Sequence, residues 1–299
     1  MSTDSNHDPG AFTVEQFPEQ PEIWWQETAR MFCTNKAAVA GAASLAVIVL
    51  VGTFGPIILA ADPFAIVGAP LREPGEGTLL GTDYLGRDVF TGIIYGVRTT
   101  LAIAITATIF AVFVGITIGA VAGFYGGKID NALMRVTEFF QVLPPLVFAM
   151  VIVAVFSHDL WTVIIAIGIT TWTTEARLTR AEFLKIKERE YVTAERAVGA
   201  TDRRMMLQVI LPNALPPLII AVTLRVGISV IYEAALSFLG LTDPDVMTWG
   251  KMIGLSRDFF FEAWWTVTFP GGAILLTVLC IALIGDGLND AFNPKLRGR

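Results

Sequence analysis

The chain has 299 residues, of which 54% are hydrophobic and only 16% are charged. With a mean hydropathy of +0.62, this composition excludes an ordinary soluble domain and indicates an integral membrane protein. The formal net charge of −6 says little about partners, because the basic residues are distributed unevenly along the chain.

The first 36 residues are predicted to be a tail followed by a short helix. Residues 1–20 are rich in Pro, Ser, Asp and Glu without periodicity, which is typical of a disordered tail. They lack the basic segment and cleavage site of a signal peptide. The following EIWWQETARMF places two tryptophans beside charges, as in a helix that lies in the membrane interface. A plain cytosolic helix is the alternative.

Six apolar segments are predicted to cross the membrane, since a spanning helix needs about 20 apolar residues. They are 37–61, 99–127, 139–157, 160–174, 211–242 and 264–285. Segment 160–174 is short by itself, and we expect its helix to continue beyond residue 174 and past the bilayer. Segment 211–242 is interrupted by Arg225 and Glu233. We therefore expect an all-α integral membrane protein whose transmembrane domain covers 37–299.

Six spans put both termini on one side, and the basic residues indicate which side. Most Lys and Arg fall on the side of the termini, many of them between 175 and 210, whereas few fall in 62–97. By the positive-inside rule, both termini and a segment at about 185–210 are cytoplasmic, and 62–97 is an extracytoplasmic loop.

The second predicted span carries Gly115, Gly119 and Gly123 at a four-residue spacing, which allows close approach of another helix. Packing within the chain is one interpretation, and a seam to another subunit is the other.

In the extracytoplasmic loop, LGTDYLGRDVF could form a short helix capped by Thr82 or Asp83. Asp83 could then pair with Arg87 one turn later. A well-capped turn is the plainer interpretation.

The sequence YVTAERAVGATDRRMMLQVILPN, 191–213, is polar and basic although it lies between two apolar runs. Gly199 ends a first helical pattern, and Thr201 or Asp202 is placed to cap a second helix. The first helix is an amphipathic plug suited to a groove on a partner. Its apolar residues are Tyr191, Val192, Ala194, Ala197 and Val198. The alternative is an ordinary loop whose basic residues only set the topology.

No nucleotide site or catalytic constellation is recognisable. The GGK at 126–128 lacks a P-loop pattern, because Ala122 occupies the first Gly position and Ile129 follows the Lys. Cys33 and Cys280 are too far apart in sequence for a motif spacing. We therefore expect no enzyme activity, metal or cofactor in this chain. The same absence argues against a membrane hydrolase, because such an enzyme would need a nucleophile with a base or a metal cluster.

Arg225 and Glu233 are charges within a predicted span, about two turns apart on nearly the same helix face. A charge in hydrocarbon costs about 2.5–3.5 kcal/mol on insertion scales, so each needs a partner or water. One interpretation predicts that Arg225 and Glu233 line a translocation path. The alternative is that they form an internal ion pair that holds helices together.

The 191–213 sequence resembles the cytoplasmic coupling motif of ATP-binding-cassette importer permeases: Glu-Ala-Ala, three residues, Gly, nine residues, then Ile-x-Leu-Pro. Gly199, Leu211 and Pro212 match at this spacing, whereas Thr-Ala-Glu at 193–195 departs from the triplet. The residues that this resemblance assigns to coupling with an ATPase are Tyr191, Ala194, Glu195, Ala197, Gly199, Asp202, Leu211 and Pro212.

Four more segments resemble one branch of that family, the second permease subunit of dipeptide, oligopeptide and nickel importers. They are LGTDYLGRD at 80–88, AGFYGGKIDNALMR at 122–135, EAALSFLGL at 233–241 and LIGDGLNDAFNPKLR at 283–297. The resemblance extends from the first span to the C-terminus and implies the type I ABC importer permease fold. Glu138 stands where the family usually has Asp.

The resemblance also implies partners and a location. The partners are a homologous permease in a heterodimer, two subunits that bind ATP and Mg²⁺, an extracytoplasmic substrate-binding protein and the lipid bilayer, without nucleic acid. The location is the cytoplasmic membrane of a bacterium or archaeon. Path candidates are Arg225, Glu233 and Glu138, and candidates on the side of the gate or binding protein are Asp83, Arg87, Asp88 and Trp249.

Di- or oligopeptides are the expected cargo. Nickel complexes, glutathione-like compounds and oligosaccharides are alternatives within the same type of importer. An ion-coupled secondary transporter is the alternative from another class, but it predicts inverted repeats, and no clear repeat is found.

Overall fold

The computed structural model describes residues 24–292, which fold into helices joined by short connections and one long loop. The helices are α1 (Trp24–Thr34), α2 (Lys36–Leu59), α3 (Val89–Tyr125), α4 (Gly127–Val142), α5 (Pro145–Val155), α6 (Leu160–Lys187), α7 (Glu190–Ala197), α8 (Asp202–Arg204), α9 (Leu211–Phe238), α10 (Trp249–Ser256) and α11 (Trp265–Phe292). A π-helical segment, Met205–Ile210, joins α8 to α9. The predicted tail, 1–20, lies outside the described residues.

Four helices are long and apolar enough to cross a membrane, namely α2, α3, the continuous helix Asp202–Phe238 and α11. The pair α4 and α5 passes this test only when counted together. The described residues thus give four or five spans, and the predicted count of six is not confirmed. Helix α6 continues past 174, as expected, but its second half carries several charged residues.

The predicted span 139–157 is not one helix. Helices α4 and α5 meet at an angle of 84°. Pro144 and Pro145 cause this break, because proline lacks a backbone N–H and disfavours helical geometry at the preceding residue. Leu143, the C-cap residue that follows α4, is accordingly extended, with ψ of 132°.

One end of the helix bundle contains α7 and the last turn of α6, both of which carry basic residues, and we call it the basic end. At this end Asn35 Nδ2 donates to Asp290 Oδ2 at 2.9 Å. At the loop end lie the 60–88 connection and α10. Because Asn35 precedes α2 and Asp290 lies near the end of α11, the two ends of the described chain meet on one side.

The loop at 60–88 is shorter than the predicted 62–97, because α3 already begins at Val89. Asp88 caps this helix by accepting from Thr91 N at 2.9 Å. The short helix predicted at 82–88 is absent from this part of the described chain. Asp83 Oδ1 instead accepts from the backbone N–H groups of Leu85 and Arg87, at 2.8 and 2.9 Å, which closes a turn.

Helix α3 packs closely along α6 through its glycines, and we call this contact the α3–α6 seam. A Cβ atom added to Gly115 would lie 2.7 Å from Trp172 O, and one added to Gly119 would lie 2.3 Å from Ala176 O. A Cβ on Gly123 would lie 2.7 Å from Phe183 Cβ. The glycine spacing therefore serves packing within the chain.

Candidate functional site: an elbow at the basic end and charges within the bundle

The segment 190–210 forms an elbow that is anchored to the bundle by one apolar side chain. Val192 of α7 is 1% exposed and belongs to a cluster with Phe183 and Ile186 at the end of α6. Met205 and Ile210 of the π-helical segment complete this contact. The elbow is thus held by α6 on one side and by the start of the next span on the other.

Gly199 makes the corner of the elbow. Its φ of +89° lies in the left-handed region, where other residues are strained. Two hydrogen bonds close the end of α7, from Gly199 N to Arg196 O at 3.0 Å and from Ala200 N to Glu195 O at 3.1 Å. This pattern is the Schellman motif, which ends a helix at a glycine.

A new helix starts immediately after the corner. Thr201, rather than Asp202, is the cap, because its Oγ1 accepts from Arg204 N at 3.4 Å. Asp202 is the first residue of α8, where a carboxylate favours the helix N-terminus. Across the corner, Arg204 Nη2 lies 3.7 Å from Glu195 Oε2, which ties α7 to α8.

The face of α7 that points away from the bundle is apolar. Tyr191, Ala194 and Val198 are exposed and follow each other at helical spacing, and Ala197 is exposed beside them. Val198 is 89% exposed, and together with Tyr191, Ala194 and Ala197 it forms a contiguous exposed apolar patch. The elbow therefore offers a small apolar surface to a partner.

The elbow continues into the membrane without interruption. Asp202–Phe238 is one continuous helix, in which Leu211 packs at the edge of the Val192 cluster and Pro212 is exposed. The π-helical segment precedes Pro212, whose missing N–H would leave a gap in regular α-helical bonding. A displacement of the elbow is thus passed directly to this helix.

Arg225 is paired inside the bundle. Its Nε and Nη2 donate to Glu175 Oε1 and Oε2, at 2.8 and 3.0 Å. The two side chains are only 10% and 2% exposed. This bidentate pair joins α9 to α6. Sequence reasoning missed Glu175, although the acid of a neighbouring apolar segment is the partner that a buried arginine requires.

Glu233 is fully buried near the loop end of α9 and has no basic partner among the described residues. Ser237 Oγ donates to its Oε1 at 2.5 Å, and the buried hydroxyl groups of Thr100 and Thr248 lie close to the same carboxylate. Glu138 is different, since its side chain is 64% exposed and lies 3.9 Å from Arg135. A role of Arg225, Glu233 and Glu138 in the path stays a prediction.

Of the candidates at the loop end, Arg87 lies over an aromatic ring that it shares with Lys251. The Arg87 guanidinium and the Lys251 ammonium lie 5.1 and 5.0 Å from the centroid of Phe64. Burial raises the pKa of Asp83 above its ordinary value, against the opposing effect of the hydrogen bonds from Arg87 and Leu85. Burial also lowers the pKa of Lys251, as does the charge of Arg87.

Trp249 and Asp88 both make contacts that hold helices of this chain in place. Trp249 is 1% exposed, and its Nε1 donates to Ile93 O at 3.0 Å, which fixes α10 against α3. A Cβ on Gly96 would lie 2.7 Å from this indole ring. Asp88 caps α3 as described above. Contact of these residues with a binding protein or gate stays a prediction.

One further ion pair lies between α4 and α6, and sequence reasoning missed it. Arg180 Nε and Nη2 donate to Asp130 Oδ1 and Oδ2, at 2.5 and 2.6 Å. Asp130 belongs to the AGFYGGKIDNALMR segment that supported the family resemblance. Within 24–292, no group of three or more His, Cys, Asp or Glu side chains could hold a metal ion.

Two family descriptions match this sequence. Residues 115–298, more than half of the chain, match the family described as binding-protein-dependent transport system inner membrane component. Residues 24–70 match the N-terminal TM domain of oligopeptide transport permease C.

Curated relatives match over nearly the whole length. The di/tripeptide transport system permease protein DppC of Pseudomonas aeruginosa (strain UCBPP-PA14) is 38% identical over 94% of this chain and 94% of its own. The oligopeptide transport system permease protein OppC of Bacillus subtilis (strain 168) is 34% identical over 95% of this chain and 94% of its own.

A solved structure of the MetNI methionine ABC transporter, in an inward-facing conformation, has a TM-score of 0.56 at 22% identity. The match covers 67% of this chain and 96% of that chain. This likeness concerns the fold, and it confirms the expected all-α permease fold.

Proposed function

Since this chain belongs to the family of binding-protein-dependent transport system inner membrane components, we propose that it forms a transport path together with a second, homologous permease. The chain is a permease subunit of an ATP-binding-cassette importer and a multi-pass protein of the inner membrane. Its own role is transport. Two separate subunits bind ATP and Mg²⁺ and hydrolyse the nucleotide.

The observation that carries this proposal is the apolar face of α7. Val198 and Tyr191 are exposed, whereas Val192 on the opposite face is buried against the bundle. A helix that is fixed on one side and apolar on the other suits a groove in a partner. We assign that groove to an ATPase subunit, because the elbow carries the spacing of the coupling motif at Gly199, Leu211 and Pro212.

Coupling then follows from two discrete arrangements of the ATPase subunits. ATP binding brings these subunits together and displaces the elbow that is seated on them. The continuous helix Asp202–Phe238 and its ion pair to α6 carry this displacement into the membrane. The path alternates between inward-open and outward-open states because ATP binds one state more tightly.

The basic end of the bundle faces the cytoplasm in this proposal. The Lys and Arg residues of α6 to α8 support that orientation through the positive-inside rule. The loop end, with 60–88 and α10, then receives cargo from an extracytoplasmic binding protein.

Short peptides are the proposed cargo. The names of the relatives in Pseudomonas aeruginosa and Bacillus subtilis, a di/tripeptide and an oligopeptide permease protein, support this choice. Uptake of a labelled dipeptide by the assembled importer, compared with a nickel complex and an oligosaccharide, tests it.

The docking proposal is tested with Val198→Glu in the complete importer. Docking would bury the new carboxylate without a partner, which costs several kcal/mol. We expect membrane insertion to persist while co-purification of the ATPase subunits and dipeptide uptake fall by about tenfold or more. Both are measured on reconstituted complexes.

Thr193→Glu is the charge-matched control. It adds the same carboxylate to the same helix, at the position where the coupling motif has Glu, and Thr193 is exposed on the flank of α7. This variant is expected to retain the ATPase subunits and uptake. Normal transport by Val198→Glu would show that the face of α7 is not the docking site.

A further inference from the structure

The break between α4 and α5 leaves irregular backbone on the surface of this chain. Gln141, Val142, Leu143, Pro144 and Pro145 are all exposed, and Val142 is 80% exposed. The last carbonyl groups of α4 and the first N–H groups of α5 have no partner within their helices. Pro144 supplies no side-chain cap.

The break lies near the middle of the membrane. Phe140 contacts the ring of Trp172 in α6, with centroids 5.6 Å apart. The twelve steps from Leu160 to Trp172 cover about 18 Å, which is just over half of a hydrocarbon core of about 30 Å. Helix α3 indicates the same depth for Trp172. Gly115, which contacts Trp172, lies near the middle of the part of α3 that has no charged residues.

Irregular backbone at this depth is not stable against lipid. Each unpaired N–H or C=O in hydrocarbon costs several kcal/mol, so such segments occur only inside protein or along a water-filled cavity. Within the described residues, Val142 is left almost uncovered and Leu143 keeps 38% of its surface exposed. The surroundings of the break must therefore supply water or another chain.

Polar groups connect the break to the basic end of the bundle. Arg177 Nη1 donates to Gln141 Oε1 at 3.0 Å, directly beside the break. From there a cleft of about 460 Å³ follows α4 and α6, lined by Glu138, Arg177 and Arg180 among others. Arg177 and Glu138 are exposed in it, and exposed charges at such depth need water.

We infer that the α4–α5 break and this cleft line the water-filled part of the translocation path on the side of the basic end. Water in the path hydrates the free backbone groups at the break. The broken pair then forms part of the wall of the path at mid-membrane, and its free backbone groups face the water through which a hydrated solute moves. This inference rests on the proposed function, since the path exists only if the chain transports.

The test is the reactivity of single cysteines toward a charged, water-soluble maleimide in the complete importer, reconstituted in lipid nanodiscs. Cys33→Ser and Cys280→Ala remove the natural thiols. Val142→Cys and Leu143→Cys then report on the break. A thiol reacts as its thiolate, which requires water, so both are expected to react about tenfold or more faster than a thiol that faces lipid.

Val47→Cys is the matched control. Val47 is 58% exposed and lies near the middle of α2, whose helix is unbroken at that point. Fast reaction at positions 142 and 143, with slow reaction at position 47, supports the inference. Reaction at both break positions as slow as at 47 overturns it, because protein or lipid then covers the break.

ATP hydrolysis and dipeptide uptake are measured on the same samples. If the complex transports while the break positions stay unreactive, only the inference about the break fails. If the unmodified complex, measured alongside, binds no ATPase subunits and takes up no peptide, the proposed function fails instead. The two failures are therefore distinguishable.

Discussion

The elbow and the α3–α6 seam are held in shape by different kinds of contact. The shape of the elbow comes from contacts between residues close in sequence, such as the Gly199 corner and the Thr201 cap. The seam joins residues far apart, through backbone atoms in direct contact at Gly115 and Gly119. A locally ordered elbow can move as a unit, whereas a close-packed seam has little room to adjust.

Arg225→Met is expected to have the largest effect on the rigid part of the bundle. Glu175 would then be buried without its partner, which costs about 3–5 kcal/mol. We expect a large fall in the thermal unfolding midpoint of the purified complex. The double variant with Glu175→Met should recover most of the loss, because a well-packed apolar pair is often neutral. If Arg225→Met alone were as stable as the unmodified protein, the ion pair would not be needed for stability.

A smaller effect on the same part of the bundle is expected from Gly119→Ala. The added methyl group would meet Ala176 O at 2.3 Å, and overpacking of this kind costs about 1–3 kcal/mol. The midpoint of thermal unfolding measures it. Gly272→Ala is the control, because a Cβ at Gly272 in α11 meets nothing within 4 Å. Equal stability of the two variants would mean that α3 and α6 separate easily.

The smallest effect on stability is expected at the elbow. Gly199→Ala strains the left-handed corner by about 1–2 kcal/mol, and the strain is expected to loosen the elbow locally without lowering the global midpoint. Limited proteolysis between 190 and 210 should become several-fold faster. Gly199→Asn should show a smaller change, since Asn tolerates this conformation better. A drop in the global midpoint would show that the elbow unfolds together with the bundle.

The same difference explains how much the sequence could predict. The elbow was predicted well, because Gly199 and Thr201 act through neighbours along the chain. The glycine spacing predicted a close helix contact but not its partner, since Trp172 and Ala176 are brought there by the tertiary fold. Sequence patterns do not show which helix lies opposite.

Two of the missed features had distinct causes. The pairing of Arg225 with Glu175 joins residues 50 positions apart, and the sequence alone offered several acids. The break at Pro144 and Pro145 did have a local signal, but the apolar run 139–157 was interpreted by its length alone. At the loop end, the turn at Asp83 was the plainer interpretation, and the backbone hydrogen bonds at 2.8 and 2.9 Å confirm it.

The Arg225–Glu175 pair has a mechanical consequence. Any swing of the helix Asp202–Phe238 about its elbow end pulls α6 sideways at Glu175, and α6 in turn carries α3 through the backbone contacts at Gly115. These contacts tie three helices into one block, so a movement at the elbow end would turn the block as a whole rather than bend one helix.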